Sequence, residues 1–498
     1  MTLRDQLGEE GMAFFAPLQT PSDAALDGST VPLAPIPGPS VLNLRTRKEA
    51  VIAAGRSWWE PRSESPQAGE YGATGDARPG RRPLPDRDPG AVLGSNAFAI
   101  AGPHTASGAG LLANDMHLNH GVPNIWYRVS LEYSGRKVTG VTLPGTPAIV
   151  AGSNGRVAWG LTDAYADTGD LVVVEATNDR SHYLVPGGQL IPFEQREEVI
   201  RVKVGRDATV TYPWTRWGPV VRTTYSGKPL AYRWVAHDPA ASNLGLLDME
   251  GTRNVREAIA VAHRSGTPTV NILLADRDGA IGWTIAGRLP KRVGYDGRLP
   301  VAWTYGDRHW DGFLPGNEIP VMVIDPKPPS STRPNSPGLP ADPSTLASGT
   351  AEALAKAGHL WSANQRMIGG AGLTAIGDGG YPRPNRAAQV RDGIAGLERA
   401  TPRDLLAVQL DDRALFLEPW HALLMSTLTG EVAAEKTERK TLRSLAEKWT
   451  GHASIESVSY RVVREFRSAI HTRVFSPIFA SCLKASPEFR WQDLQLEG

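Results

Sequence analysis

The sequence has little of several features that mark particular classes of protein. It has a single cysteine, Cys482, so it can form neither an internal disulfide bond nor a multi-cysteine metal site, and we expect this residue to be a buried small hydrophobe. Its 53 lysines and arginines balance its 52 aspartates and glutamates, which argues against nucleic acid or an anionic membrane surface as a partner. No apolar run is long enough for a transmembrane helix, and residues 1–10 lack the apolar core of a signal peptide.

What is present indicates a large globular protein. At 498 residues, 41% of them hydrophobic, the chain can bury a sizeable core. It shows no internal repeat, which counts against a propeller despite the 14 tryptophans. Residues 16–41 are rich in proline and residues 60–94 have hardly any apolar side chains, as is typical of a linker. Between these segments, residues 40–59 could form one helix.

Strand-like segments come first in the remaining chain and helices follow. Short β-rich runs bounded by Gly, Pro or Asn occur at residues 97–101, 138–143, 172–176, 198–204, 208–212 and 272–275. Helical patterns occur at residues 351–357, 402–428, 431–449 and 458–475. This succession predicts a layered α+β protein with a C-terminal helical portion.

Residues 94–98 (GSNAF) carry the strongest chemical signal. Cutting after Gly94 would leave Ser95 as a new N-terminus, and the α-amine could then act as the base for the hydroxyl of the same residue. Gly94 has no side chain to crowd such a turn. On its own, however, Gly-Ser-Asn is also ordinary turn chemistry.

Five further motifs follow in a fixed order. They are residues 111–118 (LLANDMHL), 152–163 (GSNGRVAWGLTD), 167–171 (DTGDL), 270–276 (VNILLAD) and 279–283 (GAIGW). With the segment at Ser95, their order and spacing resemble the penicillin acylase family of N-terminal-nucleophile hydrolases, which includes cephalosporin acylases and acyl-homoserine-lactone acylases.

The resemblance implies a four-layer αββα sandwich of two antiparallel sheets and self-cleavage between Gly94 and Ser95. It divides the chain into residues 1–37 as the tail of an α segment, residues 38–94 as an excised spacer, and residues 95–498 as a β-subunit-like catalytic region. The cleaved fragments would stay together as a heterodimer. The family's α segment is longer than the residues that precede Ser95 here and normally carries an export signal, so the resemblance implies that a front piece, and some sequence after residue 498, is missing.

The resemblance also assigns catalytic roles. Ser95 would be the nucleophile, His117 would orient it, and the side-chain amide of Asn271 and the backbone N–H of Asp163 would form the oxyanion hole. Asn271 is suggestive by itself, because an asparagine in an apolar strand is costly unless its amide is used. The alternatives are a surface histidine at 117 and an asparagine satisfied by backbone groups at 271.

A calcium site and a substrate contact are implied as well. Asp167, the carbonyl of Gly169 and Asp170 align with the family's calcium ligands, with Asp276 as a further candidate, and two carboxylates around a carbonyl suit a hard cation. The alternative is an Asp-rich turn between strands. Arg292 lies where the family has an arginine on the substrate side, although a solvated loop charge would look the same.

We therefore expect an amide hydrolase that releases a carboxylic acid from a small acyl-amide substrate, with no nucleic acid or membrane partner. One alternative is a truncated, non-catalytic remnant that binds an acyl ligand or calcium. A weaker alternative is a tryptophan-rich carbohydrate-binding or glycoside-processing protein, for which Asp307 and Asp311 would be the carboxylate pair to test.

Overall fold

A computed structural model describes residues 2–18, 23–43, 94–118, 121–224, 226–327, 356–491, 494 and 496. The predicted helix at 40–59, nearly all of the predicted spacer at 38–94 and most of the predicted helix at 351–357 lie outside these residues. The described residues form two compact units, one made of residues 2–17, 33–43 and 410 onward, and the other of residues 18, 23–32 and 94–409.

The strands lie in the second, larger unit. They are β1 (Gly94–Ile100), β2 (Leu111–His117), β3 (Tyr127–Tyr133), β4 (Arg136–Thr142), β5 (Ala151–Ser153), β6 (Val157–Asp163), β7 (Gly169–Val173), β8 (His182–Val185), β9 (Gln189–Pro192), β10 (Glu194–Ile200), β11 (Ala208–Thr215), β12 (Gly218–Thr223), β13 (Pro229–Trp234), β14 (Val270–Asp276), β15 (Ile281–Ala286), β16 (Pro290–Val293), β17 (Val301–Ala302), β18 (His309–Phe313), β19 (Val321–Ile324) and β20 (His359–Ser362). Every strand-like run in the sequence overlaps one of them.

The helices are distributed over both units. In the larger unit they are α2 (Val255–Arg264), α3 (Gly370–Ile376), α4 (Asn385–Ile394) and α5 (Pro402–Gln409). In the smaller unit they are α1 (Thr2–Phe15), α6 (Glu418–Thr427), α7 (Gly430–Ala434), α8 (Thr437–Ala446), α9 (Val458–Ile478) and α10 (Ala480–Ala485).

The larger unit is built as four layers. A three-stranded antiparallel sheet, in the order β2-β1-β20, packs against a seven-stranded antiparallel sheet, in the order β19-β15-β14-β6-β5-β4-β3. Helices α4 and α5 cover the three-stranded sheet, and α2 covers the outer face of the seven-stranded sheet. A six-stranded sheet, β10-β11-β12-β13-β7-β17, extends the unit, and β16-β18 and β8-β9 form two short hairpins.

The alternation of side chains along β14 accounts for the order of the layers. Ile272 and Leu274 belong to the apolar cluster that includes α2, whereas Leu273 and Ala275 belong to the cluster between the two sheets. Successive residues of a strand point to opposite faces, so a central strand covered on both sides is apolar throughout. Asn271 has the same parity as Leu273 and therefore faces the space between the sheets.

A local capping signal fixes the start of α2. Asn254 accepts a hydrogen bond from the N–H of Glu257 at 2.9 Å, and the Glu257 carboxylate accepts one from the N–H of Arg253 at the same distance. This capping arrangement satisfies N–H groups that the first helical turn leaves free. The helix then buries Val255, Ile259 and their neighbours against the seven-stranded sheet.

The smaller unit is helical and has its own core. Leu3, Leu7 and Phe15 of α1 pack with Phe479 and the fully buried Cys482, as predicted for that cysteine. The predicted helix at 402–428 is wrong as one element, because it is interrupted between Gln409 and Glu418 and restarts with a proline in its first turn, where the missing N–H costs nothing. Within the described residues, no helix combines the length and apolar character needed to cross a bilayer.

Candidate functional site

Ser95 is the second residue of β1, the central strand of the three-stranded sheet. Backbone pairing places it opposite Met116 and places Gly94 opposite His117. Strand β1 is almost wholly buried, and Ser95 itself is only 5% exposed. The peptide bond predicted to be cut therefore lies at the start of a buried strand.

The side chain of Asn364 holds both functional atoms of Ser95. Asn364 Oδ1 accepts the N–H of Ser95 at 2.8 Å, and Asn364 Nδ2 donates to Ser95 Oγ at 3.2 Å. Asn364 is fully buried just beyond β20, and its φ of 72° lies in the left-handed region, which asparagine adopts more readily than most residues other than glycine.

Arg386 of α4 completes this arrangement. Its Nη2 donates to Asn364 Oδ1 at 3.0 Å, and its Nη1 donates to the carbonyl of Ser95 at 3.1 Å and to Asn96 Oδ1 at 2.7 Å. Burial lowers the pKa of the Arg386 guanidinium, and Tyr165 and Asp115 nearby oppose that shift. Two donors at Asn364 Oδ1 also fix which way the amide of that residue points.

Gly94 fits tightly against the same two side chains. A Cβ at this position would lie 2.5 Å from Arg386 Nη2 and 2.9 Å from Asn364 Oδ1, closer than real Cβ atoms come. A side chain at position 94 would therefore displace Arg386 or Asn364 in the uncut chain.

His117 lies at the end of β2, next to the predicted cleavage bond. Its Nε2 is 2.5 Å from Asp115 Oδ2, and Asn96 Nδ2 is 3.4 Å from each of these two atoms. Gln409 donates to the other oxygen of Asp115 at 3.1 Å. His117 is therefore part of a His–Asp pair rather than an isolated surface residue, and its role in orienting Ser95 stays a prediction.

Asn271 is fully buried between the sheets, and its amide is used at both ends. Asn271 Oδ1 accepts the indole N–H of Trp283 at 2.9 Å. Its Nδ2 donates to Thr162 Oγ1 at 3.1 Å, and lies 3.3 Å from the carbonyl oxygen of Asp163 and 3.4 Å from Ser362 Oγ. Its partners are thus side chains as well as one backbone carbonyl.

Asp163 contributes its carbonyl to the site in the uncut chain. Asn364 Nδ2 donates to that carbonyl at 2.9 Å, and Asn271 Nδ2 approaches the same oxygen. Asn271 is therefore connected to Ser95 Oγ through Asp163 and Asn364. The predicted role of the Asp163 N–H as an oxyanion donor stays a prediction.

Asp167 and Asp170 lie together around the guanidinium of Arg292. Arg292 Nη2 is 2.8 Å from Asp167 Oδ1, and Arg292 Nε is 3.0 Å from Asp170 Oδ2. Tyr295 and Trp310 also donate to Asp170 Oδ2, at 2.9 and 2.5 Å. Arg292 is buried in these ion pairs, so the alternative of a solvated loop charge is wrong, and a direct contact with substrate stays a prediction.

The acidic pair satisfies part of what a calcium ion requires. Asp167 Oδ2 is buried with no hydrogen-bond partner, and burial raises the pKa of this carboxyl to about 7 despite Arg292. Gly169, whose carbonyl was predicted to be a ligand, begins β7 between the two aspartates in the sequence. A hard cation suits such an unpartnered oxygen.

Asp276 does not join this pair. Its carboxylate oxygens accept the N–H groups of Val255, Asp278 and Ala280 at 2.9–3.1 Å, so it organises the turn after β14 and the start of α2. Among the described residues, no group of three or more His, Cys, Asp or Glu side chains is arranged to hold a metal ion. Asp276 is therefore corrected from candidate ligand to structural cap, while calcium at Asp167 and Asp170 stays a prediction.

Sequence reasoning missed several residues that surround Ser95. The principal ones are Asn364 and Arg386. The network around Asn271 adds Trp283, Thr162 and Ser362. In this network Thr162 Oγ1 and Ser362 Oγ lie 2.7 Å apart. A signal was present in residues 362–366 (SANQR), a run of mostly polar residues that begins with the last residue of β20. These residues are at most 2% exposed, which marks the polar ones as internal hydrogen-bonding groups.

Comparison with known proteins decides the family. The family profile for penicillin amidase matches residues 2–496. The chain belongs to the penicillin amidase family. This membership confirms the resemblance to penicillin acylases and displaces the carbohydrate-binding alternative, for which Asp307 and Asp311 were the candidate pair.

Relatives in the penicillin amidase family are matched over part of their length. An acyl-homoserine lactone acylase of Pseudomonas aeruginosa is 31% identical over 45% of this chain and 28% of its own length. Penicillin acylase 2 proenzyme of Pseudomonas sp. is 30% identical over 47% of this chain and 30% of its own, and penicillin G acylase of Escherichia coli is 30% identical over 44% and 26%. The chain thus spans under a third of the length of these curated relatives.

A solved structure supports the fold. The thermostable penicillin G acylase from Alcaligenes faecalis superimposes with a TM-score of 0.55 at 20% identity, covering 72% of this chain and 60% of that one. Together with the layers described above, this similarity confirms the predicted α+β, four-layer architecture of the penicillin amidase family.

Proposed function

We propose that this chain is an amide hydrolase that cleaves itself between Gly94 and Ser95 and then uses Ser95 as an N-terminal nucleophile. One observation carries the proposal: a single buried side chain, Asn364, binds both the nitrogen and the hydroxyl of Ser95 beside a glycine that has no room for a Cβ. These are the two atoms that exchange the acyl group during self-cleavage.

Self-cleavage begins as an N-to-O acyl shift. Ser95 Oγ attacks the carbonyl carbon of Gly94, the bond from that carbon to the Ser95 nitrogen breaks, and the proton lost from Oγ ends on the nitrogen. Water then hydrolyses the ester, which leaves a carboxylate on Gly94 and restores the Ser95 hydroxyl. The donation from Asn364 Nδ2 to Oγ favours the developing negative charge on that oxygen.

In the mature site, the free amine of Ser95 takes the hydroxyl proton while Oγ attacks the amide carbon of the substrate. The proton passes to the departing amine, the acyl group remains as an ester on Oγ, and water releases it as a carboxylic acid. Asn271 Nδ2 donates to the oxyanion of each tetrahedral intermediate, for which it leaves its present weak contacts with Asp163 and Ser362.

The substrate is proposed by analogy with named relatives. An acyl-homoserine lactone acylase and a penicillin acylase are among the relatives of this chain, and both names describe removal of an acyl group. We therefore infer an acyl amide of a β-lactam nucleus or of homoserine lactone as the substrate class.

The N-terminal fragment would remain bound after cleavage. Arg366, which is 2% exposed, pairs with Asp23 and donates to Ser29 Oγ at 2.8 Å and to the Ser29 carbonyl at 2.7 Å. Trp361 Nε1 donates to the carbonyl of Ala24 at 2.9 Å. These contacts would hold residues 23–29 as part of a second chain, next to the segment that carries Asn364.

Asp167 and Asp170 are the residues we propose for a calcium ion. The ion would neutralise the second carboxylate, because Arg292 supplies only one positive charge to two acidic groups. Its contribution would be structural, holding β7 and the segment before it.

Intact-mass analysis and N-terminal sequencing of the full chain test the proposal. Wild type should yield a chain beginning Ser95-Asn96-Ala97 and should hydrolyse members of an acyl-amide panel, whereas Ser95→Ala should do neither. Ser107→Ala, which changes an exposed serine, serves as the matched control and should behave as wild type. A wild-type chain that stays uncut at 53.6 kDa and hydrolyses no amide would favour the non-catalytic alternative.

A further inference from the structure

A buried cation lies close to the nitrogen of Ser95. The hydrogen bonds of Arg386 go to three neutral oxygens, the Ser95 carbonyl, Asn96 Oδ1 and Asn364 Oδ1. Arg386 Nη2 and the Ser95 nitrogen donate to the same Asn364 oxygen, at 3.0 and 2.8 Å, so the two nitrogens are separated by no more than two hydrogen bonds.

This placement matters for the base of the reaction. A free α-amine has an ordinary pKa of about 7.7–8.0, so it is largely protonated at neutral pH and cannot then accept the hydroxyl proton. A positive charge nearby disfavours the ammonium form and lowers the pKa of the amine. The effect is strongest where water is excluded, as it is around Ser95.

Within the described residues, the other charged or titratable groups near Arg386 lie on β2 and on the segment from the end of β6. Strand β2 contributes Asp115, paired with His117, and the segment from the end of β6 contributes Asp163 and Tyr165. The Asp163 carboxylate is exposed and accepts the N–H of Tyr165. Among the described residues, the side chains that hydrogen-bond to Ser95 are the neutral Asn364 and the cationic Arg386, so the charge nearest the amine in this part of the chain is positive.

Asn364 adds an orientation to this electrostatic effect. By accepting one N–H of Ser95 and donating to its hydroxyl, the carboxamide fixes both atoms relative to each other. After cleavage, the amine would keep one N–H on Asn364 Oδ1, which leaves its lone pair available to the hydroxyl proton.

We infer that Arg386 is a positioning residue that acts through Asn364 to keep the freed Ser95 amine neutral and aligned with its own hydroxyl. The inference rests on the proposed function and goes beyond it by identifying what prepares the base. Arg386 acts on the amine and not on the substrate, so its loss should alter the pH dependence of turnover more than KM.

The test compares pH profiles of kcat/KM for the processed fraction of wild type, Arg386→Met and Arg386→Lys. The acidic limb reports the pKa of the free enzyme's base. Arg386→Met should move this limb to higher pH by about one unit. At pH values below the pKa of the amine in both proteins, kcat/KM of the variant should be about tenfold lower than that of wild type, and at high pH the two should be equal. Arg386→Lys keeps the positive charge, so its acidic limb should lie close to the pH of the wild-type limb. Arg391→Met, on the exposed side of the same helix, should leave it unchanged.

Arg386→Gln provides a second measurement if Arg386→Met fails to fold or process. It removes the positive charge but keeps an amide donor, and it should also raise the acidic limb. Limbs that stay at the wild-type pH in either variant would overturn the role of Arg386. A wild type that neither cleaves itself nor hydrolyses amides would instead overturn the proposed function, so the two failures are distinguishable.

Discussion

The indole N–H of Trp283 donates to Asn271 Oδ1 at 2.9 Å, and both side chains are completely buried. Because the carbonyl end of the amide is anchored in this way, its Nδ2 end can point only towards Thr162, Ser362 and Asp163. Trp283 on β15 thus determines the direction in which Asn271 on β14 presents its donors.

The Trp283→Phe substitution should therefore lower turnover through its effect on the orientation of Asn271. We expect kcat to fall about tenfold, less than the roughly 10²–10³ expected for Asn271→Ala, because the donor remains but loses its orientation. Steady-state kinetics of processed enzyme would measure this. Trp159→Phe is a matched control, since Trp159 is equally buried but donates to the carbonyl of Ile149 at 3.1 Å. An equal loss of kcat in both variants would contradict the orienting role.

The contrast between Asn271 and Asn364 explains how much the sequence could predict. Asn271 stands out because it interrupts a local apolar run, and the strands and the layered class follow from similar local patterns. Asn364 reaches Ser95 across 269 residues of sequence through the pairing of β20 with β1, which no local pattern encodes. Asp276 shows the converse error, because its position in a motif does not reveal that its oxygens are already occupied by backbone N–H groups.

The Gly94→Ala substitution should separate processing from turnover. Its Cβ would collide with Arg386 and Asn364, which displaces the groups that hold Ser95, so self-cleavage should slow at least about tenfold. Gly94 is the last residue of the predicted spacer, which is excised, so fully processed enzyme should have wild-type kcat. Mass spectrometry over time gives the first rate, and kinetics normalised to cleaved chain gives the second. Gly396→Ala, where a Cβ meets open space, should process normally. Unimpaired cleavage of Gly94→Ala would show that the tight fit is unimportant.

Retention of the N-terminal fragment should depend on Arg366. Removing one partner of a buried ion pair costs about 3–5 kcal/mol, so Arg366→Met should release the fragment at lower urea concentration than wild type does. Size-exclusion chromatography of the cleaved protein in a urea series would detect the release. An exposed arginine, Arg403, offers a control in Arg403→Met, which should not change the midpoint. Equal midpoints for both variants and wild type would mean that other contacts hold residues 23–29.

His263 of α2 should make the protein sensitive to acid. Thr284 Oγ1 donates to the carbonyl of Pro320, so it accepts from His263 Nε2 at 2.8 Å, and burial lowers the pKa of this histidine from 6.5 to about 4. The folded protein favours the neutral form of this histidine. Its contribution to the free energy of unfolding is therefore complete above pH 6.5 and is lost as the pH falls towards 4, by up to about 3 kcal/mol. Denaturant unfolding at pH 7 and pH 4.5 should show a smaller loss for His263→Gln, which retains a donor but does not titrate. A loss identical to that of wild type would assign the acid sensitivity to other groups.

Calcium binding tests the acidic pair directly, because the Asp170→Asn and Asp276→Asn variants are expected to respond to calcium in opposite ways. If Asp167 and Asp170 hold the ion, calcium should raise the Tm of metal-stripped wild type and of Asp276→Asn alike. The Tm of Asp276→Asn without calcium should be lower than that of wild type, because the variant loses the carboxylate that accepts the N–H groups of Val255 and Ala280. Asp170→Asn should lose the calcium response, since the charge of Arg292 would then face a single carboxylate. A calcium response lost in Asp276→Asn but kept in Asp170→Asn would reverse this assignment. No response in wild type, with processing unaffected by a chelator, would mean that Arg292 alone balances the pair and that no ion is needed there.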